Sequence, residues 1–235
     1  MREAEALVAF AAEHKRLVVP VHQFAFQRGV RQILAAREQL GALRHVEFAT
    51  CSAGADRLPG ADRDQVAAEI APHAFSLARW LLGEEVGRLT WRLDRAAAGE
   101  WRFTATTRAG CVLSNLISLS ARPTFAQWRV LAERGSAGAD LFHGFATFEP
   151  GTASRDYKLR RPMEVGLKSV AAAFSNLTRR LLRREPAYPG LRDLCVAAYG
   201  AIAGGPAVFG PEELVDVTRA TATLIAQLPG FRPNE

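Results

Sequence analysis

Two proton-active side chains stand four residues apart in Glu69-Ile-Ala-Pro-His73-Ala-Phe-Ser-Leu-Ala-Arg-Trp-Leu-Leu-Gly83. On a helical path that spacing puts a carboxylate and an imidazole on one face, where they can share a proton or orient a substrate hydroxyl. Leu77, Trp80 and Leu81 follow His73 at helical intervals, so His73 lies at the edge of an apolar stripe, and Gly83 is a good helix stop. Pro72 suits a first helical turn, which places Glu69 just before the helix. A histidine beside an apolar face is also an ordinary hydrogen-bonded structural residue, and this stretch by itself names no function.

Composition narrows the classes. The chain has 235 residues, half of them apolar and about a quarter charged, enough for one large domain or two small ones. Its net charge of +6 comes almost entirely from arginine, since the lysines are Lys15, Lys158 and Lys168 alone. The basic residues are scattered except for Arg179, Arg180, Arg183 and Arg184, which fall near the end of a predicted helix and complement its dipole. No nucleic-acid partner is expected. Cys51, Cys111 and Cys195 are far apart and in no Cys-x-x-Cys pattern, which argues for a reducing compartment and against a zinc site. No leader opens the chain and no run approaches the ~20 apolar residues of a membrane span, so a cytoplasmic protein without membrane contact is expected.

The elements that must position Glu69 and His73 read as follows. Residues 2–14 pattern as a helix with Leu7, Phe10 and Ala11 on one face. Leu17-Val-Val-Pro-Val21 reads as a strand buried on both faces, as in a parallel sheet. A second helix runs from about Arg28 to Leu43 with Val30, Ile33, Leu34 and Leu40 inward. From His45 to Cys51 the alternation predicts a half-buried strand. Further strands are predicted around Leu89–Leu93, Trp101–Thr106, Cys111–Leu119, Gln127–Arg134 and Leu141–Phe148. Together they form an open, mostly antiparallel sheet with helices on one face. The last third reads as helical. Met163, Leu167, Val170, Phe174, Leu177 and Leu181 mark a long amphipathic helix, and two shorter helices follow over Pro189–Ala203 and Pro211–Leu228. The fold class is α+β.

Helix, Leu17-Val-Val-Pro-Val-His22-Gln23-Phe-Ala-Phe26, helix, strand, Glu69-x-x-x-His73, open sheet and closing helices together resemble the glucose–fructose oxidoreductase/inositol dehydrogenase family. Members pair a nucleotide-binding Rossmann domain with a C-terminal α/β domain on a large antiparallel sheet. The resemblance covers the latter two-thirds of a member. It implies that residues 1–43 are a remnant of the nucleotide-binding domain and 44–235 the C-terminal substrate-binding and oligomerisation domain. The family's Asn-His-Gln-x-x-Phe segment matches Val21, His22, Gln23 and Phe26, with the asparagine lost. Its Asp-x-x-x-His-x-x-Asp matches Glu69, His73 and Ser76, with one acid lengthened and the other replaced.

The resemblance implies an NAD- or NADP-dependent oxidoreductase acting on a sugar, cyclitol or related polyol. His73 would be the acid/base, Glu69 its orienting partner, and His22 and Gln23 would lie near the nicotinamide. Ser76, Tyr157 and Lys158 are candidate substrate contacts, and no metal is implied. The chain has neither a Gly-x-Gly-x-x-Gly after a starting strand nor the family's Glu-Lys-Pro, so it is expected to be a truncated product, a misplaced start or a reduced relative, not binding the cofactor alone. The alternatives are a cofactor-free binding or scaffold subunit and a cofactor-independent lyase using Glu69 and His73. Ser136 and Ser154 lack the partners of a hydrolase triad. Relatives commonly pack their open sheets face to face. The face with Arg102, Thr104, Thr106, Val112, Ser114 and Leu116 is therefore expected to form a homodimer.

Overall fold

A computed structural model of the chain describes residues 2–55, 57–152, 154–185, 188–228 and 231. Seven strands form one sheet: β1 (Leu43–Cys51), β2 (Arg92–Ala97), β3 (Glu100–Thr106), β4 (Val112–Ser118), β5 (Phe125–Ala132), β6 (Gly135–Asp140) and β7 (Phe145–Pro150), in the order β2-β3-β4-β1-β5-β6-β7. Strand β1 is central. It runs parallel to β4, with Phe48 opposite Asn115, and antiparallel to β5, with Phe48 opposite Trp128. Every other pairing is antiparallel. The architecture is α+β with an open sheet, as the alternation of apolar and polar residues implies.

The sheet's inner face carries Trp101 and Phe103 from β3, Leu113 and Ile117 from β4, Phe48 from β1 and Trp128 from β5, each almost completely buried. Burying one such side chain contributes about 1.5–3 kcal/mol. Across them lies helix α4 (Gly60–Leu82), whose contact side is built from small residues, Ala67, Ala71, Ala74 and Ala78, so that the helix sits close to the strands. Phe75 fills the remaining space, its ring 4.8 Å from that of Trp91 and 5.4 Å from that of Phe103. The short helices α2 (Arg28–Ala35) and α3 (Arg37–Leu40) add Val30, Ile33 and Leu40 to the same core. Helix α1 (Arg2–Glu13) precedes them, and α5 (Arg155–Leu182), α6 (Leu191–Ile202) and α7 (Pro211–Ile225) close the chain. Among the described residues no helix is long and apolar enough to cross a membrane.

Four local expectations need correction. Leu17–Val21 forms no strand; it is an extended segment with Leu17 and Val21 exposed that pairs with neither edge of the sheet, β2 or β7. Helix α4 starts at Gly60, nine residues before Glu69, and Pro72 lies inside it. The Pro72 ring forgoes the bond to the Ala68 carbonyl and crowds that oxygen, yet the helix continues past it to Leu82. Strand β2 begins at Arg92, leaving Leu89 and Trp91 ahead of it, where the Trp91 indole donates to the Val86 carbonyl at 2.9 Å. Strand β6 is Gly-Ser-Ala-Gly-Ala-Asp, which has no large apolar residue to mark it, and the predicted strand over 141–148 is instead the turn into β7 and the first four of its six residues.

The long helix α5 forms over the predicted stretch. Ser154 caps it, accepting the Tyr157 amide proton at 3.2 Å. It docks beside β7 through Tyr157 and Arg161, both bonded to Glu149.

Candidate functional site

A cavity of about 810 Å³ opens between the start of the chain, α4, the ends of β1 and β5, and the β6–β7 turn. His73 reaches it from the middle of α4, and Gln23, Phe24 and Gln27 reach it from the 3-10 turn Gln23–Phe26 and the residue after it. Gln27 is pinned: its Nε2 donates to the Leu141 carbonyl at 2.7 Å, tying this turn to the start of the β6–β7 connection. That bond fixes the amide's orientation and points Oε1 the other way. Gly190 makes the approach of the last third possible. Its φ is +87°, and a Cβ there would stand 2.4 Å from the Gln23 carbonyl oxygen.

The far wall comes from residues the sequence reading did not place in the site: His143 reads there as structural and Arg180 as part of a helix-end cluster. His143 stands in the β6–β7 turn, where its Nδ1 and backbone amide both bond Asp140, each at 2.8 Å. Helix α5 braces this turn, since Asn176 Nδ2 and Arg180 Nη1 donate to the His143 carbonyl at 2.8 and 3.3 Å. Thr50, Cys51, Tyr188 and Pro189 are also in the lining. Only Gln27 carried a usable sign in the sequence, lying one helical turn after Gln23 in the His22-Gln23 segment.

His22 packs edge-on to His73, with ring centroids 5.9 Å apart, and Phe24 lies 4.8 Å from the His73 ring. Burial lowers the His73 pKa to about 4, and burial followed by the neighbouring His73 lowers that of His22 to about 4. Both imidazoles are therefore neutral near pH 7. Four buried polar atoms here have no protein partner: His22 Nδ1, Gln23 Oε1, Gln27 Oε1 and His73 Nδ1. Buried polar atoms are rarely left so, and the two amide oxygens can only accept.

The other candidate residues lie elsewhere. Glu69 is exposed on α4 and accepts a bond from Gln65 Nε2 at 3.2 Å; it does not line the cavity. Ser76 is buried on another side of α4 and donates to Glu213 of α7 at 3.3 Å. The Trp80 indole donates to the same carboxylate at 2.6 Å. Burial pushes the Glu213 carboxyl up, against the opposing effect of Trp80, Arg79 and Ser76. Tyr157 and Lys158 belong to the first turn of α5, where Tyr157 bonds Glu149, and neither lines the cavity. The structure thus brings His73, Gln23 and His22 together and leaves Glu69, Ser76, Tyr157 and Lys158 apart from them. Among the described residues no three His, Cys, Asp or Glu side chains converge on a point that could hold a metal ion.

The site's frame is an open, mostly antiparallel sheet with a histidine presented by the helix packed across it. No protein-family model matches the sequence, and no curated protein does. Solved structures do match. GenD2 of gentamicin A biosynthesis, solved in complex with NAD, has a TM-score of 0.65 at 18% identity, over 97% of this chain and 66% of that one. UDP-N-acetylglucosamine 3-dehydrogenase GnnA from Acidithiobacillus ferrooxidans has a TM-score of 0.68 at 16% identity, over 98% of this chain and 68% of that one. The dehydrogenase MviM from Clostridium difficile has a TM-score of 0.65 at 10% identity, over 95% and 66%. These neighbours are dehydrogenases of the glucose–fructose oxidoreductase/inositol dehydrogenase type, and at such identities the shared property is the fold. The chain spans about two thirds of their length.

Proposed function

We propose that this chain holds a sugar, cyclitol or related polyol and serves as the acid–base portion of an NAD(P)-dependent oxidoreductase. The observation that carries this reading is a cavity lined by Gln23, Gln27 and His73, with His22 packed against His73, in which Gln23 Oε1, Gln27 Oε1, His22 Nδ1 and His73 Nδ1 are buried without a protein partner. The two amide oxygens can only accept and each Nδ1 donates or accepts according to its tautomer, a mixture that hydroxyl groups, which do both, are able to match. His73 is neutral near pH 7 and free of any carboxylate partner among the described residues, so it is in the protonation state to accept the proton of a carbinol hydroxyl as that carbon is oxidised, although burial reduces its basicity. The names of the neighbours, one of them a UDP-N-acetylglucosamine 3-dehydrogenase, agree with such a substrate class.

The hydride acceptor is a separate matter. A dinucleotide needs a strand, a glycine-rich turn and a helix N-terminus to cradle its pyrophosphate, and the described residues do not supply that combination. The residues present do not fit the cofactor by themselves, so the part proposed for this chain ends at binding the polyol and taking its proton. The second reading, which the cavity and its unpartnered polar atoms also allow, is a binding or scaffold subunit of the same fold that performs no redox step.

In this proposal residues 1–43 are the segment next to a nucleotide-binding domain and 44–235 the substrate domain. The open sheet face, with Arg102, Thr104 and Leu116, is the proposed homodimer surface. The test is titration calorimetry of the full chain with myo-inositol, glucose and UDP-N-acetylglucosamine. Binding of at least one, lost in Gln27→Leu and His73→Leu, supports the reading. Binding that ignores both substitutions places the ligand elsewhere and overturns it.

A further inference from the structure

Helix α5 docks on the protein through one side and turns its most apolar side away. Tyr157, Arg161 and Asn176 face β7 and the β6–β7 turn through the bonds described above. On the other side Met163, Leu167, Val170, Phe174, Leu177 and Leu181 recur at steps of four, three, four, three and four, and each is 55–71% exposed. An ordinary surface helix buries such a stripe. Among the described residues nothing covers this one.

We propose that this stripe is an interface with a second copy of the same chain, α5 against α5 about a two-fold axis. A strict alternation of three and four is the 3.5-residue period of a helix–helix seam. Small residues flank it: Gly166, where an added Cβ would meet nothing within 4 Å, and Ala171 and Ala173, which leave room for a neighbouring helix. The stripe is about 30 Å long at 1.5 Å per residue. It offers on the order of 700 Å² of apolar surface, against the ~800 Å² per partner of a stable dimer. Such a patch is larger than soluble monomers usually expose. A two-fold axis presents the same stripe on both sides, so an apolar seam is complementary to itself. A lipid surface fits less well. The helix is rich in basic residues, as a membrane-lying helix is, but its apolar face is a narrow seam of one residue every three or four rather than a broad face. Glu164 sits beside the stripe, paired with Arg160 and Lys168.

The test is sedimentation velocity of the full chain at tens of micromolar. Wild type is expected to run at twice the mass of Leu167→Glu/Phe174→Glu, whatever association the open sheet face adds, with the variant's circular dichroism unchanged because both residues are exposed. In a Cys195→Ser background, Val170→Cys at the middle of the seam is expected to form an intermolecular disulfide on mild oxidation, which decides the matter even if the charged variant folds poorly. Equal masses for wild type and the charged variant, with no cross-link at residue 170, overturn the proposal. So does co-sedimentation of wild type, but not the charged variant, with phosphatidylglycerol vesicles when no mass difference is seen without lipid.

Discussion

The imidazole of His22 stands edge-on to that of His73, ring centroids 5.9 Å apart and planes at 72°, with the Nδ1 of each buried and unpartnered. Two histidines held this way cannot easily be charged, and both have pKa values lowered to about 4 from 6.5. In the unfolded chain they titrate near 6.5. Above that pH they are neutral in both states and linkage adds nothing. As pH falls from 6.5 toward 4 the unfolded state takes up protons that the folded state refuses, so stability falls. The loss between pH 7 and pH 5.5 is on the order of 2–3 kcal/mol for the pair. Urea denaturation at the two pH values should show it, and His22→Asn/His73→Asn should flatten it. A midpoint that does not move in wild type contradicts the buried, neutral pair.

Binding should follow the same titration. Since His73 is neutral above about pH 4, polyol affinity is expected to be level from pH 6 to 8. His73→Asn keeps a polar group but not the base; it should weaken affinity by roughly 3- to 30-fold, as for the loss of one buried hydrogen bond. Glu69→Gln should leave affinity unchanged, because Glu69 points to solvent and Gln65. A tenfold loss for Glu69→Gln would place the ligand along the outer side of α4.

For the cofactor, calorimetry with NAD(H) and NADP(H) is expected to show a dissociation constant of millimolar or weaker, as the described residues lack a pyrophosphate cradle. Micromolar binding would reveal a site of another kind.

Asp64 offers a structural control. It sits at the start of α4 and accepts from Arg95 at 2.7 and 3.0 Å, from the Gly99 amide at 2.9 Å and from the Trp101 indole at 2.8 Å. Burial raises its pKa, but those bonds outweigh burial and hold the carboxyl below the usual range. Asp64→Ala leaves a buried indole and amide unpaired and is expected to cost about 3–5 kcal/mol, read from thermal denaturation. A loss under 1 kcal/mol would mean that water replaces the carboxylate.

Thr104 and Leu116 share the open sheet face, with Thr104 opposite Ser114 and Leu116 opposite Arg102. Glutamates at both positions are expected to halve the sedimenting mass if that face joins two copies. An unchanged mass, with the fold intact, would leave it a solvated face.

What the sequence determines by itself is local. Alternation of two marks β1, β3, β4 and β5 because one side of each strand is covered and the other open, and Phe48, Trp101, Leu113 and Trp128 show the covered side by their size. His73 and the His22-Gln23 segment were legible because they sit in a recognisable order. What depends on distant neighbours was not. β6 is written in glycine and alanine, and only its place between β5 and β7 makes it a strand. Leu17–Val21 reads as a buried strand, but hydrogen bonds for it must come from another part of the chain, and it lies against neither edge of the sheet. The spacing of Glu69 and His73 predicted a pair, yet the helix turns Glu69 to solvent and surrounds His73 with aromatic rings. The far wall of the cavity, His143 and Arg180, lies at least 70 residues from His73 in the chain, and only the packing of α5 against the β6–β7 turn brings it there. The apolar stripe of α5 shows the same division: its period was plain in the sequence, but which way it faces was decided by the polar side that Glu149 and the His143 carbonyl hold against the sheet.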